Sequence, residues 1–157
     1  MSLSILPMLM AAGIDATASE PVLRHAFDIH AQCGDALDAG VTPMGKRIVI
    51  PITGGTVTGD ISADILPGGA DYQLIDTTSG RTEFNAIYTI MTHDGHAIGV
   101  TNIGVSTSGK QGDYFTTTPK FEAPVQSDYD WLNNRIFVCK PIGFEDHAVK
   151  LRVWVVE

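Results

Sequence analysis

Asp71 is the residue best placed by type and setting to move a proton. It follows Pro67-Gly68-Gly69-Ala70, a turn rich enough in glycine to let backbone approach closely, and it then opens a strand. A carboxylate there can act as general acid or base, or accept a hydrogen bond from a ligand hydroxyl. The alternative is a carboxylate that caps the N–H groups of the turn. His30 shares one side of a strand with Arg24, Ala26 and Asp28. Facing a lumen, it would shuttle protons near neutral pH. Facing water, it is an ordinary surface histidine. Asn102 sits in an apolar stretch with Ile98 and Val100, and a buried amide must find a partner. With Arg47, at the start of a second strand, it would hold a developing oxyanion; a structural salt bridge is the other use for Arg47.

Tyr114, Phe115, Phe121, Tyr129 and Trp131 gather in the C-terminal third, with Glu122 and Asn133 flanking them. Apolar walls with a few polar groups are the usual form of a small-molecule site, and the same residues also suit a plain core. Tyr88 adds a phenol on the strand before Asn102. Together these groups predict acid/base chemistry on a small oxygenated organic molecule. Asp71 and His30 would move protons, and Asn102 and Arg47 would hold charge. No cofactor is expected. The alternatives are a barrel that binds a metabolite without chemistry, and a structural or oligomerisation module.

Other chemistries lack their motifs. There is no GxSxG, HExxH, P-loop or GxGxxG opening a helix. His93-Asp94-Gly95-His96 suggests a metal cluster, but Asp94 and Gly95 are needed for a turn whose tip is solvated, so no metal is expected. Cys33 and Cys139 lack zinc spacing and read as two separate small core residues. The net charge of -8 argues against nucleic acid and anionic membranes as partners. Residues 3–14 are apolar, no Lys or Arg precedes them, and they are too few to span a bilayer. Residues 1–20 are expected to form an arm or short helix, and the cytoplasm is the expected location.

The elements that must position these groups are strands. The chain has 157 residues, 44% of them apolar and 16 of them glycine, which suits one domain with one core. Runs of strand length are broken by Gly, Pro, Asn and Asp. They fall at 23–33, 46–53, 56–66, 70–76, 82–93, 96–105, 113–122, 135–140 and 149–156, with Gly54-Gly55 as a turn and Ser127 capping a helical turn over 127–133. Asp94-Gly95 predicts a two-residue hairpin loop. That register sets Met91 opposite Ile98, Thr89 opposite Val100 and Ile87 opposite Asn102, which puts Tyr88 and Asn102 on opposite faces. The fold class is all-β: a small antiparallel barrel of about eight or nine strands over residues 21–157, since closure removes exposed edges.

The segments GKRIVIPITGGTVTGDISADILPGGADYQL, FNAIYTIMTHDGHAIGVTNIG, YFTTTPKFEAP and YDWLNNRIFV, in this order, resemble the domain of unknown function 3237 family. The likeness runs from about Pro21 to Glu157. It implies a small β-barrel, often oligomeric, and a lumen of the kind that holds small organic molecules. Some similar barrels act as cofactor-free cyclases or isomerases. The resemblance favours the functional reading of Asp71, and Tyr72 beside it in PGGADYQ becomes a candidate contact. One departure stands out. The family pattern has Arg before the tyrosine of YT, where this chain has Ile87, so a cation is expected to be missing from the pocket.

Overall fold

Strand β1 (Leu23–Cys33) shows how the chain chooses inside from outside. Phe27, Ile29 and Ala31 turn inward and are 0%, 2% and 6% exposed. Asp28 and His30 alternate with them and face out. A register shift between His25 and Phe27 brings Ala26 inside as well. The computed structural model describes residues 19–157, so the expected N-terminal arm lies outside the described residues.

Nine more strands follow: β2 (Leu37–Thr42), β3 (Gly45–Gly59), β4 (Ala63–Ile65), β5 (Gly69–Ile75), β6 (Thr82–Thr92), β7 (Ala97–Thr107), β8 (Tyr114–Glu122), β9 (Phe137–Glu145) and β10 (Ala148–Val156). Pairing runs β1-β10-β9-β8-β7-β6, then through β4 and β5 to β3, and β3 returns to β1. This closes an antiparallel barrel of eight strands with two extra strands. β4 and β5 share one position between β6 and β3, and β2 lies on the outer half of β3. On the outer face, Asp28 takes a two-pronged ion pair from Arg152 at 2.9 Å, which ties β1 to β10.

Two local expectations fail. Gly54-Gly55 does not turn the chain. β3 runs straight through it: on one edge the two glycines fall where β5 gives way to β4, and on the other they pair with Gln32 and Ala31 of β1. The reversal comes after Gly59. The β6–β7 loop holds three residues, His93-Asp94-Gly95, with Thr92 N–H donating to His96 O at 2.9 Å. Only Gly95 takes a positive φ, 94°, whereas a two-residue loop needs Asp94 there too. The register therefore moves by one. Met91 faces Ala97, Ile90 faces Ile98, Tyr88 faces Val100 and Ala86 faces Asn102. Ile87 pairs with Thr101 on the outer surface and is 48% exposed, so it removes no cation from the interior.

The lower barrel is solid. Phe27, Phe121 and Phe137 meet edge to face, with Phe121 5.6 Å from Phe27 and 5.0 Å from Phe137. Each such side chain contributes roughly 1.5–3 kcal/mol by leaving water. A short 3-10 helix, Asp130–Asn134, caps this end and inserts Leu132. Its start lies three residues beyond the expected Ser127 cap, because Ser127 Oγ is used one turn earlier, on Tyr129 N–H. Among the described residues no helix is long and apolar enough to cross a membrane.

Candidate active site

The upper barrel is hollow. A cavity of about 400 Å³ opens between the β9–β10 turn and the segment after β1. The sheet itself explains which residues reach it. Inward residues on successive strands fall in rows along the hydrogen-bonding direction, and barrel tilt carries each row downward. One row runs Phe84, Gly104, Thr117, Cys139, Val153, Phe27. It begins half-buried at Phe84 and is closed from Cys139 onward. A second row runs Asp71, Ala86, Asn102. Asp71 thus stands toward the mouth, Asn102 toward the floor, and the small Ala86 leaves the space between them open.

The floor holds three polar atoms with no partner among the described residues: Tyr88 Oη, Asn102 Oδ1 and Thr117 Oγ1. Their residues are 6%, 4% and 5% exposed. Native proteins leave few buried polar groups unpaired, because each costs about 1–3 kcal/mol. All three residues line the one cavity, so three unused hydrogen-bonding groups border it. Burial pushes the Tyr88 phenol up, so it stays protonated and can donate. Cys139 lies behind them. Burial pushes its thiol up to about 11, with Thr117 and Asn102 pulling the other way. The β8–β9 ladder is reduced here to one pair, Thr117 with Cys139, and Pro119, which has no N–H to give, lies on the same strand.

Asp71 forms the upper wall. Asn85 N–H donates to its Oδ1 at 3.1 Å, and Gln73 Nε2 donates to its Oδ2 at 2.8 Å. Burial pushes this carboxyl above its usual range, and the two hydrogen bonds offset part of the effect. Cys33 lines the cavity nearby, its thiol also pushed up, by burial first and by Asp71 second. Cys33 and Cys139 are both free. Phe84 stacks on Phe115 with ring centroids 4.5 Å apart, and Phe144 lies 6.3 Å from Phe115.

Of the expected site residues, the cavity brings together Asp71, Asn102, Tyr88 and Phe115. Tyr88 and Asn102 share it because of the register correction. The others stand elsewhere. His30 faces out and meets Glu145 at 3.2 Å, since β1 turns its apolar side to the core. Arg47 and Tyr72 lie on the outer face, in a groove over β3, β5 and β6, because alternation places them opposite to Ile48 and Asp71. Glu122 is exposed outside the barrel, and Phe121 is core beneath the cavity. Tyr129, Trp131 and Asn133 close the opposite end. Tyr129 Oη donates to Asp94 Oδ1 at 2.8 Å, Trp131 packs 5.7 Å from Phe137, and Asn133 bonds both Ala123 N–H and Ala123 O.

Sequence reasoning missed Thr117, Phe84, Gln73 and the rim residue His147. His147 takes a left-handed conformation, φ 56°, in the two-residue turn between β9 and β10, and its carbonyl accepts from Cys33 N–H at 2.7 Å. Parity along β6 and β8 would have found Phe84 and Thr117 once the correct register was known. No local signal marks His147.

These features define a class: small closed barrels with a solid lower core and an apolar upper chamber floored by unpaired polar groups. Residues 21–156 match the family described as "Protein of unknown function (DUF3237)", and the chain belongs to that family. A UPF0311 protein of Bradyrhizobium diazoefficiens is 35% identical over 140 residues, covering 80% of this chain and 91% of the relative. The crystal structure of a beta-barrel like protein from Acinetobacter baumannii matches with a TM-score of 0.81 at 25% identity, covering 91% of this chain and all of the other. An enzyme from Penicillium herquei has the same fold, with a TM-score of 0.72 at 22% identity over 92% of this chain.

Proposed function

We propose that this chain is an enzyme that binds a small, largely apolar, oxygenated organic molecule in the upper chamber and acts on it by acid/base chemistry with its own side chains. The observation that carries the reading is the trio of unpaired atoms on the floor, Tyr88 Oη, Asn102 Oδ1 and Thr117 Oγ1. A ligand oxygen placed among them recovers hydrogen bonds that the free protein forgoes. Asp71 supplies the proton acceptor. Its raised pKa brings its basicity nearer to neutral, which is what general base catalysis requires. Charge that builds on the ligand oxygen as Asp71 takes a proton is met by the Tyr88 and Thr117 hydroxyls, while Asn102 Oδ1 accepts from a ligand hydroxyl. Isomerisation, cyclisation, and addition or elimination at an activated double bond fit this arrangement. The Penicillium herquei barrel, itself an enzyme, lends support at the level of fold.

One observation favours a second reading, binding without chemistry. Both Asp71 oxygens already accept hydrogen bonds, which lowers their readiness to take a proton. The test is a thermal-shift panel of neutral enones, phenols and ketones, followed by mass spectrometry of each hit after incubation. Asn102→Leu is expected to abolish the shift. Asp71→Asn is expected to keep it and to lower turnover about 10²- to 10⁴-fold. Hits recovered unchanged from the wild type would establish the binding reading. Hits that bind Asn102→Leu equally well would refute the chamber as the site.

A further inference from the structure

The chamber has a sign. Asp71, Glu145 and Asp146 line it, and among the described residues His147 is the one lining residue able to carry positive charge, with no lysine or arginine in the lining. Glu145 is compensated at the rim, where Lys150 Nζ meets it at 2.5 Å and His30 Nε2 lies 3.2 Å away; His147, a counter-charge only when protonated, lies 3.5 Å from Asp146. Asp71 is different. Among the described residues its oxygens accept only from the neutral Gln73 amide and the Asn85 N–H, and no cation reaches it. A carboxylate taken out of water with no counter-charge favours any cation brought beside it and repels any anion.

The same part of the wall is aromatic. Phe84 and Phe115 form a stacked pair, and Phe144 continues it. Aromatic surface beside a carboxylate is the setting in which ammonium groups are held, by the ring quadrupole and by the charge together. The floor supplies an independent demand. Tyr88, Asn102 and Thr117 line the deep end, are more than nine-tenths buried and carry oxygens with no partner among the described residues, so the deep end asks for hydrogen-bonding groups.

We infer that the ligand is bipolar: a hydroxyl or carbonyl oxygen meets the floor, and an ammonium group lies beside Asp71 and the Phe84–Phe115 wall. Organic carboxylates and phosphates are excluded. This rests on the chamber being a ligand site, and it holds whether or not Asp71 also moves a proton. The row geometry fits such a molecule. Asp71 and Asn102 stand two strand positions apart, about 10 Å between backbones, so a compact aromatic alcohol with a short amine tail spans the gap above Ala86.

The experiment compares three probes of matched size: tyramine, 4-ethylphenol and 4-hydroxyphenylacetate. Each is titrated to millimolar concentration into the ¹⁵N-labelled full chain at pH 8, at low and high salt. Tyramine is expected to bind roughly tenfold tighter than 4-ethylphenol, and the anion roughly tenfold weaker than 4-ethylphenol, with the spread narrowing in salt. Asp71→Asn, nearly the same in shape, is expected to collapse the order. Asp146→Asn, on the exposed turn, is expected to leave most of it in place. Equal affinities for all three probes, or the anion binding tightest, would overturn the charge assignment and leave the chamber reading intact. Absence of shifts at Tyr88, Asn102 and Thr117 with every probe would overturn both.

Discussion

Replacing Tyr88 by phenylalanine is expected to make the free protein more stable. The hydroxyl is buried and has no partner, while the ring packs in the core. Tyr88→Phe keeps the ring and removes only the unpaired oxygen. A buried unsatisfied group costs about 1–3 kcal/mol, and that cost is the expected gain. For a chain of 157 residues each kcal/mol raises the melting temperature by about 2–4 °C. Guanidinium denaturation of the ligand-free protein is the assay. The midpoint should rise at constant slope, since the surface exposed on unfolding hardly changes. Thr117→Val, on β8, should behave alike, and the double variant should gain close to the sum unless the two hydroxyls share a water. Both variants should lose affinity for any ligand that stabilises the wild type. That pairing of stability gained and binding lost is the mark of groups kept unpaired for a ligand. A Tyr88→Phe variant less stable than wild type would refute the reasoning, because the hydroxyl would then have been satisfied already.

Three further outcomes follow from particular contacts. Ala86→Leu should fill the space between Asp71 and Asn102, removing ligand-induced thermal shifts while the circular dichroism spectrum stays that of a β-protein. Asp71 titrates above its unfolded value, so the folded state holds its proton longer and stability falls as pH rises through the folded pKa. Asp71→Asn should therefore flatten the stability–pH profile above the unfolded carboxyl range and raise stability at neutral pH, as read from urea midpoints across pH 4–8. Asp94 shows the opposite sign. The Thr92 and Tyr129 hydroxyls and His96 hold it at about 2, so its contribution is present above the unfolded value of 3.8 and is lost as pH falls toward 2. Tyr129→Phe should weaken that acid-sensitive step in an acid denaturation curve and leave ligand affinity in the distant chamber unchanged.

How far the site could be read from sequence turned on one residue of register. The strands over 82–107 carry strong alternating patterns, and the barrel class follows from them and from the closely spaced turns. Alternation alone does not say which residue of one strand faces which of the next; the loop decides. Asp-Gly is a strong signal for a two-residue loop, yet here His93 enters the turn and Gly95 alone takes the left-handed position. The slip of one residue separated Tyr88 from Asn102 and sent Ile87 inward. Asp71 and Asn102 escaped the error because their own strands' parity places them inward. His30 and Arg47 were misplaced for a different reason. A polar side chain on a barrel strand has two destinations, lumen and solvent, and it was the apolar alternation of Phe27, Ile29 and Ala31, and of Ile48, Ile50 and Ile52, that claimed the inside.

The rim had no signal at all. Cys33 and His147 are joined by one backbone hydrogen bond across more than a hundred residues, and that contact exists only because β1 closes on β10. The turn Glu145-Asp146-His147-Ala148 carries no glycine or asparagine where its left-handed residue falls. A non-glycine residue held in that region stores strain of about 1–3 kcal/mol, and such strain gathers where a structure holds a functional edge in place. The chamber mouth is such an edge: His147 presents the one imidazole in the described lining, beside three carboxylates, on a turn pinned at its carbonyl. His147→Gly would relieve the backbone and remove the imidazole together, whereas His147→Asn keeps a side chain that tolerates the left-handed region. If the residue serves only the turn, both variants should match the wild type in ligand affinity. If its imidazole tempers the acidity of the mouth, both should bind tyramine more tightly and 4-hydroxyphenylacetate less tightly than the wild type does, by the same factor in each variant.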